Sequence, residues 1–240
     1  MKSNKGQMTR RAFITIIVVE IALIVIAFAL MITAAVLQEN GVSHSIYNPI
    51  GISSFVVLII GVIIGISNAG KMISYEVYAA SKKIEERGCV SIEAPPKNKI
   101  LENLTSNKFT LIDGRYYHRR RLSLTKDVIN YYVRIAECDG IRKTIGKELE
   151  ILDEQDYKGK NKCVIMLLYA DKVSGENKSQ LLNVSQAFIV PEIASNASTF
   201  DTIVPVLIDK STSRACFVPL GKRSISVYAH GLKMMQELLK

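Results

Sequence analysis

Phe13–Leu37, FITIIVVEIALIVIAFALMITAAVL, is an apolar run interrupted only by Thr15, Glu20 and Thr33. At about 1.5 Å per residue, a helix of this length crosses a ~30 Å hydrocarbon core with some tilt. A second run, Ile50–Ala69, IGISSFVVLIIGVIIGISNA, has no charged residue and the ~20-residue length a spanning helix needs. Between the runs, residues 38–49 carry one acid, no Lys or Arg, and two turn-forming pairs, Asn40-Gly41 and Asn48-Pro49. The sequence therefore predicts a transmembrane hairpin, 13–37 and 50–69, with 38–49 as an external loop.

Flanking charge gives the hairpin a direction, because Lys and Arg are retained on the cytoplasmic side. Lys2, Lys5, Arg10 and Arg11 lie in the basic N-terminus, residues 1–12, while Lys71, Lys82, Lys83 and Arg87 follow the second run. Both termini are expected in the cytoplasm of a two-pass cell-membrane protein. Arg10-Arg11 before an apolar run also fits a twin-arginine export signal, but the run exceeds a signal core of ~7–15 residues and a second span follows at once. Asn-x-Ser/Thr triplets at Asn103, Asn177, Asn183 and Asn196 would matter only on a luminal domain.

Inside the first run Glu20 is costly in hydrocarbon, and such acids normally face a partner or a water-filled cavity. Ser54, Gly61, Gly65 and Asn68 share one face of the second run, and Gly61 to Gly65 is a small-xxx-small spacing that permits close backbone approach. Antiparallel packing sets Glu20 at the depth of Gly61 to Gly65. The stripe is expected to receive Glu20, from the same chain or from a neighbouring copy in a homo-oligomer. The bland alternative is a Glu20 that snorkels toward the interface.

Residues 70–96 read as a helical continuation that stops at Gly88, followed by a Pro95-Pro96 linker. Residues 97–240 are then a cytoplasmic β-rich domain. Asp113-Gly114 between Phe109–Ile112 and Arg115–His118 is a hairpin signal. Val128–Ala136 alternates as a strand should, although a helix capped at Thr125 also fits, and Ile141–Leu152 is undecided between the two. Cys163–Ala170, Leu181–Val190, Ile203–Ile208 and Ala215–Val218 read as strands, with a turn at Asp209–Ser213. Apolar residues from Ile225 to Leu239 at steps of three and four form a C-terminal amphipathic helix with Ser224 as N-cap. The expected fold class is α+β, with a small barrel or two-sheet sandwich behind the hairpin.

Reaction chemistry is largely excluded. Cys89, Cys138, Cys163 and Cys216 have no zinc or CxxC spacing, so no metal or cofactor is expected, and a Cys216 pair with His118 or His230 is the only nucleophile arrangement to check. There is no GxGxxG and no GxSxG. Gly140 to Gly146-Lys147-Glu148 has one residue too many for a phosphate loop, and Glu where Ser or Thr should hold Mg²⁺. Asp153, Glu154, Asp156 and Asp171 with Lys172 would suit a metal-dependent enzyme only if the fold gathered them. The remaining polar cluster is Tyr116, Tyr117, His118, Arg119, Arg120 and Arg121, whose arginines can bind phosphates or lipid headgroups. A solvated strand end, with the arginines paired to Asp113 and Asp127, explains it equally well.

The layout resembles bacterial two-helix membrane proteins whose β-rich cytoplasmic domain senses a ligand, including membrane effectors of nucleotide-signalled phage defence. The likeness is one of architecture and covers no specific residue. It implies a sensor or adaptor domain for an anionic ligand or protein partner, or a membrane-disrupting effector switched by a phosphate-containing ligand. Nucleic acid is not an expected partner. In the 240 residues, 48% are hydrophobic and the formal charge is +9, with 31 Lys and Arg against 22 acids. The mean hydropathy of +0.19 comes from the two runs, and much of the basicity flanks them.

Overall fold

A computed structural model of the chain describes residues 8–122, 128–154, 162–195, 201–220 and 226–240. The chain divides into two compact units, Met1–Ala79 and Ala80–Lys240.

The first unit is a pair of long helices. α1, Arg10–Glu39, is N-capped by Thr9, whose Oγ1 accepts a 3.2 Å hydrogen bond from the Ala12 amide. Asn40 ends it, and Gly41 (φ 70°) turns the chain. α2, His44–Arg87, begins earlier than expected. Asn48-Pro49 is accordingly no turn: Pro49 lies inside α2, close enough to its start that the missing N–H costs only one backbone bond near the helix end. α2 runs through 71–87 as anticipated and stops at Gly88, whose φ of 60° suits glycine.

The two helices run antiparallel. A Cβ placed on Gly51, Gly61 or Gly65 would meet Ala34, Leu23 or Glu20 respectively, and the Phe13 and Tyr75 rings lie 4.7 Å apart. Their outer faces are apolar and open, with Ile32 at 62%, Phe55 at 62% and Ile66 at 73% exposure. Both are long and apolar enough to cross a membrane.

The second unit contains the last turns of α2, where Ala80 and Ile84 are buried and Gln186 Nε2 donates to the Ser81 carbonyl. There follow β1 (Val90–Glu93), α3 (Lys97–Ser106), β2 (Thr110–Ile112), β3 (Tyr116–Leu122), β4 (Val128–Glu137) and α4 (Ile141–Glu154). β5 (Lys162–Ala170), α5 (Gly175–Ser195), β6 (Thr202–Asp209), β7 (Arg214–Phe217) and α6 (Val227–Leu238) complete it. The seven strands of the described residues form one mixed sheet in the order β1-β7-β6-β5-β4-β3-β2. β4, β5 and β6 are parallel and the outer pairs antiparallel.

The expected barrel or sandwich is therefore replaced by a single open sheet. Its end strands, β1 and β2, lie at opposite edges and cannot close on each other. Parallel neighbours need long crossovers, and helices α4 and α5 supply them. This is also why Leu181–Val190 is not a strand: it is the middle of α5, with Leu181, Ser185 and Ile189 buried at helical spacing. Ile141–Leu152, undecided in sequence, is α4. Val128–Ala136 takes the strand alternative as β4. The Asp113-Gly114 hairpin forms, both residues having positive φ (51° and 61°) and the Arg115 amide donating to the Ile112 carbonyl at 3.1 Å, but Ile112 pairs with Tyr116, so the connection is 113–115, one residue longer than the two-residue turn expected. Val90–Glu93, within the segment read as helix and linker, pairs with β7. Thr125, Asp127 and Ser224 lie outside the described residues, and Ser226 caps α6.

Both faces of the sheet are covered. On one, Ile141 and Ile145 of α4 and Leu181 of α5 pack with Tyr116, Tyr132, Met166, Leu168 and Leu207. On the other, α6 approaches so closely that a Cβ at Gly231 would stand 2.4 Å from Cys163 Sγ and 2.6 Å from Val204 Cγ2. Gly231→Ala should therefore lower stability by about 1–3 kcal/mol, the usual scale of overpacking, seen as an earlier chemical-denaturation midpoint.

At the β6–β7 turn, Asp209 Oδ1 accepts from the Ser211 hydroxyl (2.6 Å) and from the Ser211 and Thr212 amides (2.8 and 3.1 Å). Oδ2 accepts from the Val173 amide at 3.0 Å. These donors, the Ser211 hydroxyl foremost, hold the carboxyl down to about 2 despite burial. A depressed carboxylate stabilises the fold above its unfolded value, about 3.9, and loses that contribution as pH falls through its folded value. Acid titration of wild type should show a loss between about pH 4 and 2 that is absent from Asp209→Asn.

Candidate functional site

A cleft of about 580 Å³ opens where β4 ends and α4 begins. Ligands of α/β sheets commonly bind beyond the carboxyl ends of parallel strands, and the volume lies within the usual range for small-molecule sites. Ile135, Ala136 and Glu137 of β4 contribute one wall, and Lys143, Thr144 and Lys147 of α4 another, with Lys97 and Arg115 nearby. Gly140 makes the strand-to-helix turn with φ 138°, and its carbonyl accepts from the Thr144 amide at 2.9 Å.

The cleft also includes a buried carboxylate between two guanidiniums. Glu148 lies on the inner face of α4 and is almost wholly buried. Its Oε1 accepts from Arg115 Nη2 (2.9 Å) and Arg134 Nε (3.2 Å), and its Oε2 accepts from the Tyr116 hydroxyl (2.5 Å). Arg134 Nη1 also donates to the Arg115 carbonyl at 3.3 Å, which ties the two arginines together. Burial by itself would raise the Glu148 carboxyl, but the donors from Arg115 and Tyr116, with the Arg134 charge, outweigh it and hold the group below its ordinary value.

The other charges divide unequally. Glu137 is engaged by Lys210 at 2.6 Å, and Lys210 also reaches Asp171 at 3.1 Å. Lys97 lies over the Tyr169 ring, 5.8 Å from its centroid. Lys143 and Lys147 are exposed, four residues apart on one helix face, and have no ion-pair partner among the described residues. Like charges at this spacing are mildly destabilising to a helix, while Glu150, three residues beyond Lys147, is an opposite charge at a favourable spacing.

The strand divides the Tyr116 to Arg121 cluster, because successive side chains in β3 point to opposite faces. Tyr116 is buried against Glu148, and His118 lies 4.8 Å from the Tyr132 ring on the same face, where Arg120 is exposed. Tyr117, Arg119 and Arg121 take the other face. There Arg119 donates to Asn107 Oδ1 (3.4 Å) and sits over Phe109, while Arg121 pairs with Glu237 at 3.5 Å. The six residues do not converge on one site. β2 pairs only with Tyr116–His118, so Arg119–Leu122 have no strand partner on that side among the described residues, and charge there discourages pairing with another chain.

In the helix pair, the structure brings Glu20 to the expected stripe. A Cβ at Gly65 would stand 3.2 Å from Glu20 Oε1, an atom that is buried and has no hydrogen-bond partner among the described residues. Ser54 and Asn68 lie on the same face but hydrogen-bond along their own helix, to Gly51 and Ile64. Gly61 and Gly65 thus pack against Leu23 and Glu20 of the same chain.

Cys216 does not meet either histidine. Its side chain is on the α5 face while His230 is on α6, and His118 is four strands away, about 19 Å at ~4.8 Å per strand. Burial raises the Cys216 thiol. Asp156 lies outside the described residues, as do the side chains of Asp153 and Glu154, and among the described residues no three metal-ligating side chains cluster.

The residues missed in sequence are Arg115, Arg134, Lys143, Lys147 and Glu148. The one available signal was an acid on the Ile141, Ile145, Glu148 face of a possible helix. No family model, no curated protein and no solved structure matches this chain.

Glu148→Ala should cost on the order of 3 kcal/mol, because the Arg115 and Arg134 charges lose their common partner. Glu148→Gln should also remove part of the acid sensitivity: the depressed carboxylate stabilises above its unfolded value, about 4.3, and that contribution disappears on acidification. Urea denaturation across pH measures both.

Proposed function

We propose that the protein is a two-span membrane protein with a cytoplasmic domain that binds a small anionic ligand or an acidic group of a protein partner in the cleft beside α4. The observation that carries this reading is the pairing of two features in one chain. α1 and α2 leave apolar faces open, while the second unit has its own core and a polar cleft with two lysines that have no ion-pair partner among the described residues. The basic residues beside the helix ends and their absence from residues 40–43 support cytoplasmic termini. Binding rather than catalysis is favoured because Glu148 is engaged by three donors and, among the described residues, no nucleophile and base are brought together at the cleft.

Two measurements test the anchor. The chain should remain in the membrane pellet after an alkaline carbonate wash. A C-terminal green fluorescent protein fusion should fluoresce while a C-terminal alkaline phosphatase fusion stays inactive. Extraction by carbonate removes the membrane reading, and an active phosphatase fusion reverses the orientation.

A further inference from the structure

Resting on the cleft as a binding site, we propose that its ligand is phosphate-bearing, with Lys143 and Lys147 as the phosphate partners in a cleft that Arg115, Glu148 and Arg134 also line. The argument is one of charge and spacing. Lys143 and Lys147 project from one face of α4, with side chains about 5–6 Å apart at their bases. A carboxylate neutralises only one ammonium. A phosphate monoester carries about −1.5 to −2 and three acceptor oxygens, so a single group can satisfy both lysines.

Glu148 pairs with both arginines and holds them at the cleft. Glu137 is held by Lys210, leaving Asp139 and Glu150 as the opposing acids against Lys97, Lys143 and Lys147. Lysine is suited to this task as a mobile point charge that does not demand bidentate geometry. The phosphate can belong to a soluble compound or to a lipid headgroup.

The test is calorimetric titration of the full chain in neutral detergent micelles with inorganic pyrophosphate, with phosphatidic acid doped into the micelles, and with citrate as a carboxylate comparison. Lys143→Glu and Lys147→Glu, both surface changes on α4, should each weaken phosphate binding about tenfold or more, while Arg120→Glu leaves it unchanged. Lysine-dependent binding of pyrophosphate supports a soluble ligand, and lysine-dependent binding of phosphatidic acid alone supports a headgroup. Phosphate binding that ignores both lysine variants overturns the proposal. Lysine-dependent binding of citrate without either phosphate overturns the phosphate class but keeps the anion-binding cleft. Failure of all three probes overturns both.

Discussion

Three parallel strands in the middle of a sheet impose most of what surrounds them. Parallel strands are buried on both faces, and each return to the starting edge needs a crossover long enough to hold a helix. β4, β5 and β6 meet that demand with α4 and α5 on one face, while α6 covers the other. The nearly continuous apolar sequence of β5, Cys163–Ala170, is buried throughout for this reason. The antiparallel strands outside them complete the width of the sheet without altering the constraint. α6 can lie close only because Gly231 has no side chain to meet Cys163 and Val204.

The same topology makes the cleft. A parallel strand and its crossover helix meet at the strand's carboxyl end, where the chain leaves the sheet and the covering layer is incomplete. At β4 this gap is bordered by Arg134 from the strand and by Lys143, Lys147 and Glu148 from the helix that follows. Glu148 is the cost and the organiser of the arrangement. An ionised carboxylate at that depth is tolerated because three donors from β3, β4 and the preceding turn converge on it. Asp209 solves a similar problem differently, with hydroxyl and amide donors in a turn, and so it organises the backbone without concentrating positive charge.

Sequence legibility followed the range of the determining interactions. Asp113-Gly114, the apolar runs, β5, β6 and the β6–β7 turn depend on neighbours in sequence, and each could be read locally. α5 could not, because LLNVSQAFIV satisfies both periods over ten residues, and only its place as a crossover between parallel strands decides for helix. The open sheet was hidden for the same reason: once α5 is read as a strand, parallel pairing of β5 with β6 loses its connection, and closure of short antiparallel strands becomes the natural guess. The cleft was hidden because Arg115, Arg134 and Glu148 come from three elements, joined only by the β3–β4–α4 arrangement.

The two acids that sequence and structure leave in unusual places, Glu20 and Glu148, differ in what surrounds them. Glu148 has its full set of donors, so its position is explained by the fold. Glu20 packs where Gly65 provides room and its buried Oε1 has no donor among the described residues. A larger residue at Gly65 would occupy the volume of the carboxylate, and with the helices held together by Leu23 at Gly61 and Ala34 at Gly51 there is little freedom to separate. The glycine at 65 leaves room for the Glu20 carboxylate. That differs from the arrangement at Glu148, where two guanidiniums and a hydroxyl donate to the acid, whereas beside Glu20 the second helix offers the small residue Gly65.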